Sequence, residues 1–224
     1  VKMNKEGYED INQIINRAIN PLSVDEFEKI ANQSSAIVLD VRNQKDYVKG
    51  HIPRSIFIGL DGGFAPWVGT LLKDVKQQIL LVVPTGREKE AITRLSRVGF
   101  DQTIGFLKGG FSSWKESGKE IDSLSSISAE QFEKEIRNKD SFIYDVRKIS
   151  EYETSRVNFS VNTPLGEINN YLNDFPEDKD FYIHCAGGYR SVIAASILKS
   201  RGIHNLIDVK GGFQSIMKTN ISLT

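Results

Sequence analysis

Phe181-Tyr182-Ile183-His184-Cys185-Ala186-Gly187-Gly188-Tyr189-Arg190-Ser191-Val192-Ile193-Ala194-Ala195-Ser196-Ile197-Leu198 is the stretch from which the chain is read. It opens as a short apolar strand, turns at a cysteine through two glycines, and continues as an apolar helix. Cys185 is the only cysteine in the protein. A strand–Gly-Gly–helix junction forms an anion cradle. The glycines let backbone N–H groups point inward, and the helix N-terminus adds partial positive charge. Both effects favour a negatively charged sulfur, the nucleophilic form of the side chain. Arg190 adds a permanent cation where the loop closes. A lone cysteine is often an inert buried thiol, and a Gly pair is often an ordinary turn. Neither alternative calls for Arg190 and Ser191 to follow. Cys185 and Arg190 are therefore the candidate catalytic pair. Ala186, Gly187, Gly188, Tyr189 and Ser191 are candidates for binding substrate through the loop.

Outward from the loop, the sequence repeats itself. Leu22-Ser23-Val24-Asp25-Glu26-Phe27 recurs as Ile127-Ser128-Ala129-Glu130-Gln131-Phe132. Each copy carries a capping-box pattern, Ser23 with Glu26 and Ser128 with Gln131, so each should start a helix. Ile37-Val38-Leu39-Asp40-Val41-Arg42 recurs as Phe142-Ile143-Tyr144-Asp145-Val146-Arg147, and Asp46-Tyr47 as Glu151-Tyr152. Lys108-Gly109-Gly110-Phe111 recurs as Lys210-Gly211-Gly212-Phe213. The offset is 105 in the first halves of the copies and 102 at their ends. So long a period indicates a duplicated domain rather than a solenoid. Strands alternate with helices within each copy, which implies an α/β fold with a mainly parallel sheet covered by helices on both faces. The expected divisions are a helical lead-in over 1–20, a first domain over 21–120 and a second over 124–224. In the lead-in, Tyr8, Ile11, Ile14, Ile15 and Ala18 have helical spacing and Asn20-Pro21 ends it.

The copies differ where chemistry would occur. If Arg87 matches Arg190, Val82 stands where Cys185 does, and a valine cannot be a nucleophile. Arg87-Glu88-Lys89-Glu90 also puts acid at the loop exit. The first copy has Gly50-His51-Ile52-Pro53 where the second has Ser155-Arg156-Val157-Asn158, which suggests a different local backbone there. Asp61–Thr70, with Phe64 and Trp67, has no partner in the second copy. It reads as a loop, either packed on its own domain or serving as a lid over the Cys185 pocket. Asp145 and Arg147 occur in both copies while the nucleophile occurs in one, so they read as supports of the strand end.

Composition sets the bounds. The chain has 224 residues, 39% hydrophobic and 26% charged, as in soluble globular proteins. Lys+Arg and Asp+Glu balance at 29 each, which gives no electrostatic reason to expect nucleic acid or an anionic membrane. No apolar run approaches the roughly 20 residues that span a bilayer. One cysteine excludes an internal disulfide and fits a reducing, cytoplasmic compartment. His51, His184 and His204 are scattered, which makes a metal site improbable, and no cofactor is expected.

The loop resembles the active-site loop of rhodanese-type sulfurtransferases, in which a cysteine, four residues and an arginine surround a persulfide sulfur. Related phosphatases of this fold have one more residue, so the Cys185–Arg190 spacing implies sulfur rather than phosphate as the cradled atom. A phosphatase or arsenate reductase is the less favoured alternative. The resemblance covers residues 22–216 and implies two tandem rhodanese-like domains, the first inactive and the second active. With Asn4-Lys5-Glu6-Gly7-Tyr8, the whole chain resembles the C-terminal part of bacterial metallo-β-lactamase-fold persulfide dioxygenase–rhodanese fusions. That implies an upstream dioxygenase domain as a partner.

The resemblance implies ping-pong sulfur transfer in sulfide or persulfide detoxification. Cys185 takes a sulfane sulfur from thiosulfate or a low-molecular-weight persulfide and passes it to cyanide, sulfite or a thiol. Arg190 would either bind the sulfonate of thiosulfate or tie the loop to a carboxylate such as Asp145. The Ser191 hydroxyl would cap the helix or donate to the sulfur, capping being the simpler role. His184 should point to the face opposite Cys185 and is not expected to act as a base. A docking or persulfide-relay module is the alternative to an independent enzyme.

Overall fold

The structure is a computed structural model that describes residues 10–137 and 141–224. Asn4-Lys5-Glu6-Gly7-Tyr8 lies outside them. The first half runs α1 (Ile11–Ala18), β1 (Pro21–Leu22), α2 (Val24–Gln33), β2 (Ile37–Asp40), α3 (Gln44–Lys49), β3 (Ile56–Phe57), α4 (Phe64–Leu71), β4 (Ile79–Val82), α5 (Glu88–Ser96), β5 (Thr103–Leu107) and α6 (Gly110–Glu116). The second runs β6 (Ser126–Ile127), α7 (Ala129–Ile136), β7 (Phe142–Asp145), α8 (Ile149–Thr154), β8 (Val161–Asn162), two 3-10 turns (Leu165–Asn170 and Leu172–Asp174), β9 (Phe181–His184), α9 (Tyr189–Ser200), β10 (Leu206–Val209) and α10 (Gly212–Ile216). The two sheets have the orders β1-β5-β4-β2-β3 and β6-β10-β9-β7-β8. The second order is the first shifted by one repeat, and the strand pairs are parallel. The fold is thus a duplicated α/β unit, each copy a five-stranded parallel sheet flanked by helices.

Local chemistry explains these elements. Both capping boxes form: Ser23 and Ser128 accept from the third helical N–H, while Glu26 and Gln131 reach back to the cap N–H. β4 and β9 are buried at every position, as expected of central parallel strands covered on both faces. Helix α9 buries eight consecutive residues, Ser191–Leu198, and is apolar nearly all round because it is a core helix. On another side of the second sheet, Phe132, Ile143, Val157, Val209, Phe213 and Ile216 share one cluster.

By compactness, the described residues 10–43 group with Ile58–Ile121, and Gln44–Phe57 group with the described part of Asp122–Thr224. The repeat limits 21–120 and 124–224 differ from this partition by the segment Gln44–Phe57. In the second unit that segment is bonded to α9. The Phe57 N–H donates to Ser196 Oγ at 2.9 Å, and the Phe57 ring meets Tyr189 edge-on at 5.7 Å. In the first unit α1, capped by Asp10, buries Ile14, Ile15 and Ala18 and packs on α5.

Two expectations are corrected. The segment around Phe64 and Trp67 is not a loop: it is helix α4, with Gly63 at φ 73° as its N-cap and Phe64, Val68 and Leu71 buried. Gly62, Gly63 and Pro66 are loop signals, yet they sit at the helix start, where proline is tolerated. The turns Gly50–Pro53 and Ser155–Asn158 also share one backbone despite their different residues. Arg54 and Phe159 have φ of 63° and 64°, and the N–H groups of Ser55 and Ser160 each donate to the carbonyl three residues back at 3.1 Å. Both serine hydroxyls bond that same carbonyl.

Phe159 is 94% exposed in a conformation that costs an L-residue about 1 kcal/mol. Replacing it with glycine removes that cost and loses little packing. Phe159→Gly should therefore raise the urea midpoint of the second unit by an amount equivalent to about 1 kcal/mol. A lowered midpoint would refute this account of the turn.

Candidate active site

The Cys185 loop is held from behind. The N–H of Phe213 donates to Cys185 O at 2.6 Å, and that of Gln214 donates to Ala186 O at 2.9 Å. A trans peptide points its C=O and N–H in opposite directions. Fixing these two carbonyls against α10 therefore turns the N–H groups of Ala186 and Gly187 to the other side of the loop. The Gly188 N–H reaches Cys185 Sγ at 3.1 Å, with Gly188 at φ 96° as the N-cap of α9. The Gly188 carbonyl accepts from Gln44 Nε2 at 2.8 Å and from Ser191 Oγ at 3.1 Å. Gly212 is obligatory: a Cβ there would lie 2.3 Å from Cys185 O. Cys185 itself is 1% exposed.

Arg190 closes the loop by gripping a carboxylate. Its Nη1 and Nη2 donate to Glu151 Oε2 and Oε1 at 2.6 and 2.7 Å. The partner is Glu151, not Asp145 as the sequence suggested. This bond holds the Glu151 carboxyl down at about 2 and raises Arg190 further. The clasp is fully formed above the ordinary carboxylate range and is lost only as pH falls towards that value. Glu151 also accepts from the Lys148 N–H at 3.1 Å, which fixes it at the start of α8.

Asp145 is taken by its own neighbour. Arg147 Nε and Nη2 donate to it at 2.8 and 2.6 Å, both side chains are buried, and the guanidinium lies 3.9 Å from the centre of the Phe213 ring. The first copy matches, with Arg42 on Asp40 at 2.6 Å and 4.1 Å from the Phe111 ring. The two repeated motifs, Asp-Val-Arg and Lys-Gly-Gly-Phe, thus meet in each copy.

The strand registers correct the equivalence within the repeat. Asp40 pairs with Val82 as Asp145 pairs with His184, so the residue equivalent to Cys185 is Val83, not Val82. It follows that Glu88, not Arg87, takes the place of Arg190. Arg87 is engaged by Asp61 and Glu90. The first copy still has valine for cysteine, and it also reverses the charge at the end of the loop.

Ser191 does not cap α9. It is the third helical residue, is fully buried, and donates to the carbonyl of the N-cap. Its neighbour Asp208 is buried, which pushes its carboxyl up to about 7, and Asp208 Oδ1 has no hydrogen-bond partner. His184 is fully buried, which lowers its pKa. Its Nε2 has no partner, and its ring lies parallel to Phe213 at 6.2 Å. Sequence reading gave no role to Glu151, Gln44, Asp208 or Gly212. The recurrence of Asp46 as Glu151 and of the Gly-Gly pair were the available signals for two of them. Among the described residues, no group of three or more His, Cys, Asp or Glu could hold a metal ion, and no helix is long and apolar enough to cross a membrane.

The rhodanese-like domain family matches residues 23–117 and 128–219, so the chain belongs to that family and carries two copies of its domain. The chain is 35% identical over 108 residues to YrkF of Bacillus subtilis, named as a candidate sulfur carrier protein, covering 48% of this chain and 56% of that one. It is 21% identical over 102 residues to the thiosulfate sulfurtransferase GlpE of Glaesserella parasuis, covering 46% and 94%. A rhodanese-related protein of Thermoplasma volcanium superposes with TM-score 0.42 at 29% identity, covering 45% and 98%. The chain spans little more than half the length of YrkF.

Two outcomes are expected. Gly212→Ala should destabilise the second unit by about 2–3 kcal/mol and displace the Cys185 carbonyl, which would show as lost protection of the Phe213 amide in hydrogen exchange. Retained protection would contradict the tether. Asp208 has a folded pKa above its unfolded value, so it destabilises the fold as pH rises from about 4 to about 7. Asp208→Asn should therefore gain in melting temperature relative to wild type across that window. A difference that does not change with pH would rule this out.

Proposed function

We propose that the chain is a sulfurtransferase in which Cys185 carries a sulfane sulfur between a small donor and a thiophilic acceptor. The observation that carries this reading is the loop itself: a lone cysteine with the Gly188 N–H on its sulfur at 3.1 Å, in a turn whose carbonyls are tied back to α10. Such a cradle can hold one extra anionic sulfur on Cys185 through inward amides. The names of relatives as thiosulfate sulfurtransferase and candidate sulfur carrier agree with this chemistry.

The Cys185 thiolate attacks the outer sulfur of the donor. With thiosulfate, the S–S bond breaks, sulfite leaves with the electron pair, and Cys185 becomes a persulfide anion. With an alkyl persulfide, the leaving group is the thiolate. Cyanide then attacks the terminal sulfur, thiocyanate leaves, and the Cys185 thiolate returns. The amides of Ala186, Gly187, Gly188, Tyr189, Arg190 and Ser191 line the loop from which that charge is stabilised. Asp145 and Arg147 act as its supports.

The first copy has no nucleophile at Val83, so it serves as scaffold. That fits a module working beside a persulfide dioxygenase of metallo-β-lactamase fold. Sulfide and persulfide detoxification is the corresponding role, and a reducing cytoplasm suits a lone reactive thiol.

Intact mass after brief exposure to thiosulfate or an alkyl persulfide, then to cyanide, tests the reading. Wild type should gain one sulfur atom and lose it to cyanide, and Cys185→Ser should gain none. No gain with either donor would reject sulfur transfer, and turnover of an aryl phosphate instead would favour a phosphatase.

A further inference from the structure

Between Cys185 and Arg190 the loop reads Ala-Gly-Gly-Tyr and carries no charged side chain. Arg190 is the cation nearest in sequence, and the Cys185 sulfur is among the charges that act on it. Yet its paired Nη atoms face the two Glu151 oxygens at 2.6 and 2.7 Å. An arginine–carboxylate pair of this kind satisfies the bidentate edge that a sulfonate would use. It also leaves the two side chains with no net charge. The Arg147 guanidinium is likewise paired, with Asp145.

We infer that Glu151 sets donor specificity: by holding Arg190 it biases the Cys185 site against the thiosulfate dianion and towards alkyl persulfides. This rests on the sulfur-transfer reading above. The physical reason is charge. A dianionic donor approaching the loop meets the Cys185 thiolate, and the Arg190 guanidinium that would offset it is already held by Glu151. An alkyl persulfide presents its outer sulfur to the amides without needing a cation for a sulfonate group. Glu151 acts through Arg190, so it is a specificity-determining positioning residue. Its place at the head of α8 is compatible with replacement. Glutamine can still accept from the Lys148 N–H and from one Arg190 Nη, so Glu151→Gln removes the charge and keeps the cap.

The test is kcat/KM for thiosulfate and for 2-hydroxyethyl persulfide, each with cyanide as acceptor, in wild type, Glu151→Gln and Glu151→Asp. The neutralised variant should gain about tenfold in kcat/KM for thiosulfate through a lower KM, an effect of the size expected from removing one nearby charge. Its thiosulfate-to-persulfide ratio should rise by a similar factor. The gain should shrink with added salt, because the freed cation is screened. Glu151→Asp keeps the charge and should keep the wild-type ratio. Misfolding cannot imitate a gain. If Glu151 instead orients Arg190 as a sulfonate ligand, Glu151→Gln will raise KM for thiosulfate, and the inference fails. An unchanged ratio also overturns it. Either result leaves sulfur transfer intact if mass still shows sulfur on Cys185. Failure to load Cys185 in any variant with either donor would remove the underlying reading itself.

Discussion

The shape of the Cys185 loop depends on two backbone hydrogen bonds, from Phe213 N–H to Cys185 O and from Gln214 N–H to Ala186 O. Without them the loop amides have no reason to face one way. With them, peptide planarity converts a tether on one side into a row of donors on the other. The tether requires α10 to approach the loop more closely than a side chain allows, hence Gly212. Gly211, at φ 74°, makes the turn that brings α10 there. Lys210-Gly211-Gly212-Phe213, which begins 25 residues after the cysteine, therefore shapes the Cys185 loop through its backbone.

Phe213 links this tether to the rest of the unit. Its ring carries the Arg147 guanidinium, Arg147 holds Asp145 at the end of β7, and Asp145 pairs in register with His184, the last residue before the loop. Strand end, helix start and loop are locked by one chain of contacts. The first copy has the same framework in Asp40, Arg42 and Phe111 and carries Val83 and Glu88 where the second has Cys185 and Arg190. Framework and reactivity thus reside in separable residues, and duplication could preserve one without the other.

The sequence made the fold legible because its strongest signals were periodic and repeated. Capping boxes, short apolar strands that alternate with helices, and a 105-residue offset each predict local structure that the fold contains. The Cys185 loop was legible because glycine, charge and a lone thiol are rare together. What could not be read was partnership across distance. Arg190 has several carboxylates within sequence reach, and the choice of Glu151 over Asp145 depends on where α8 places its first turn. The equivalence of Val83 with Cys185 was missed by one residue because Arg87 was aligned by its identity rather than by strand register. Helix α4 was missed because Gly63 and Pro66 signal a break in sequence but sit at a helix start in space.

One physical constraint connects the neutral loop with the paired arginine. A buried cysteine, 1% exposed, gains from nearby positive charge as an anion but suffers if that charge is unpaired and desolvated. Backbone amides meet the first requirement without raising the second, because they carry no net charge. Arg190 can then be neutralised by Glu151 and serve as a mechanical clasp between the head of α9 and the head of α8. The loop then presents uncharged donors, and the one guanidinium that closes it is already matched by a carboxylate. In the first copy the equivalent position is Glu88, whose Oε1 accepts from the Gly86 N–H. There one amide of the loop is met by a carboxylate from the following helix, where the second copy has an arginine.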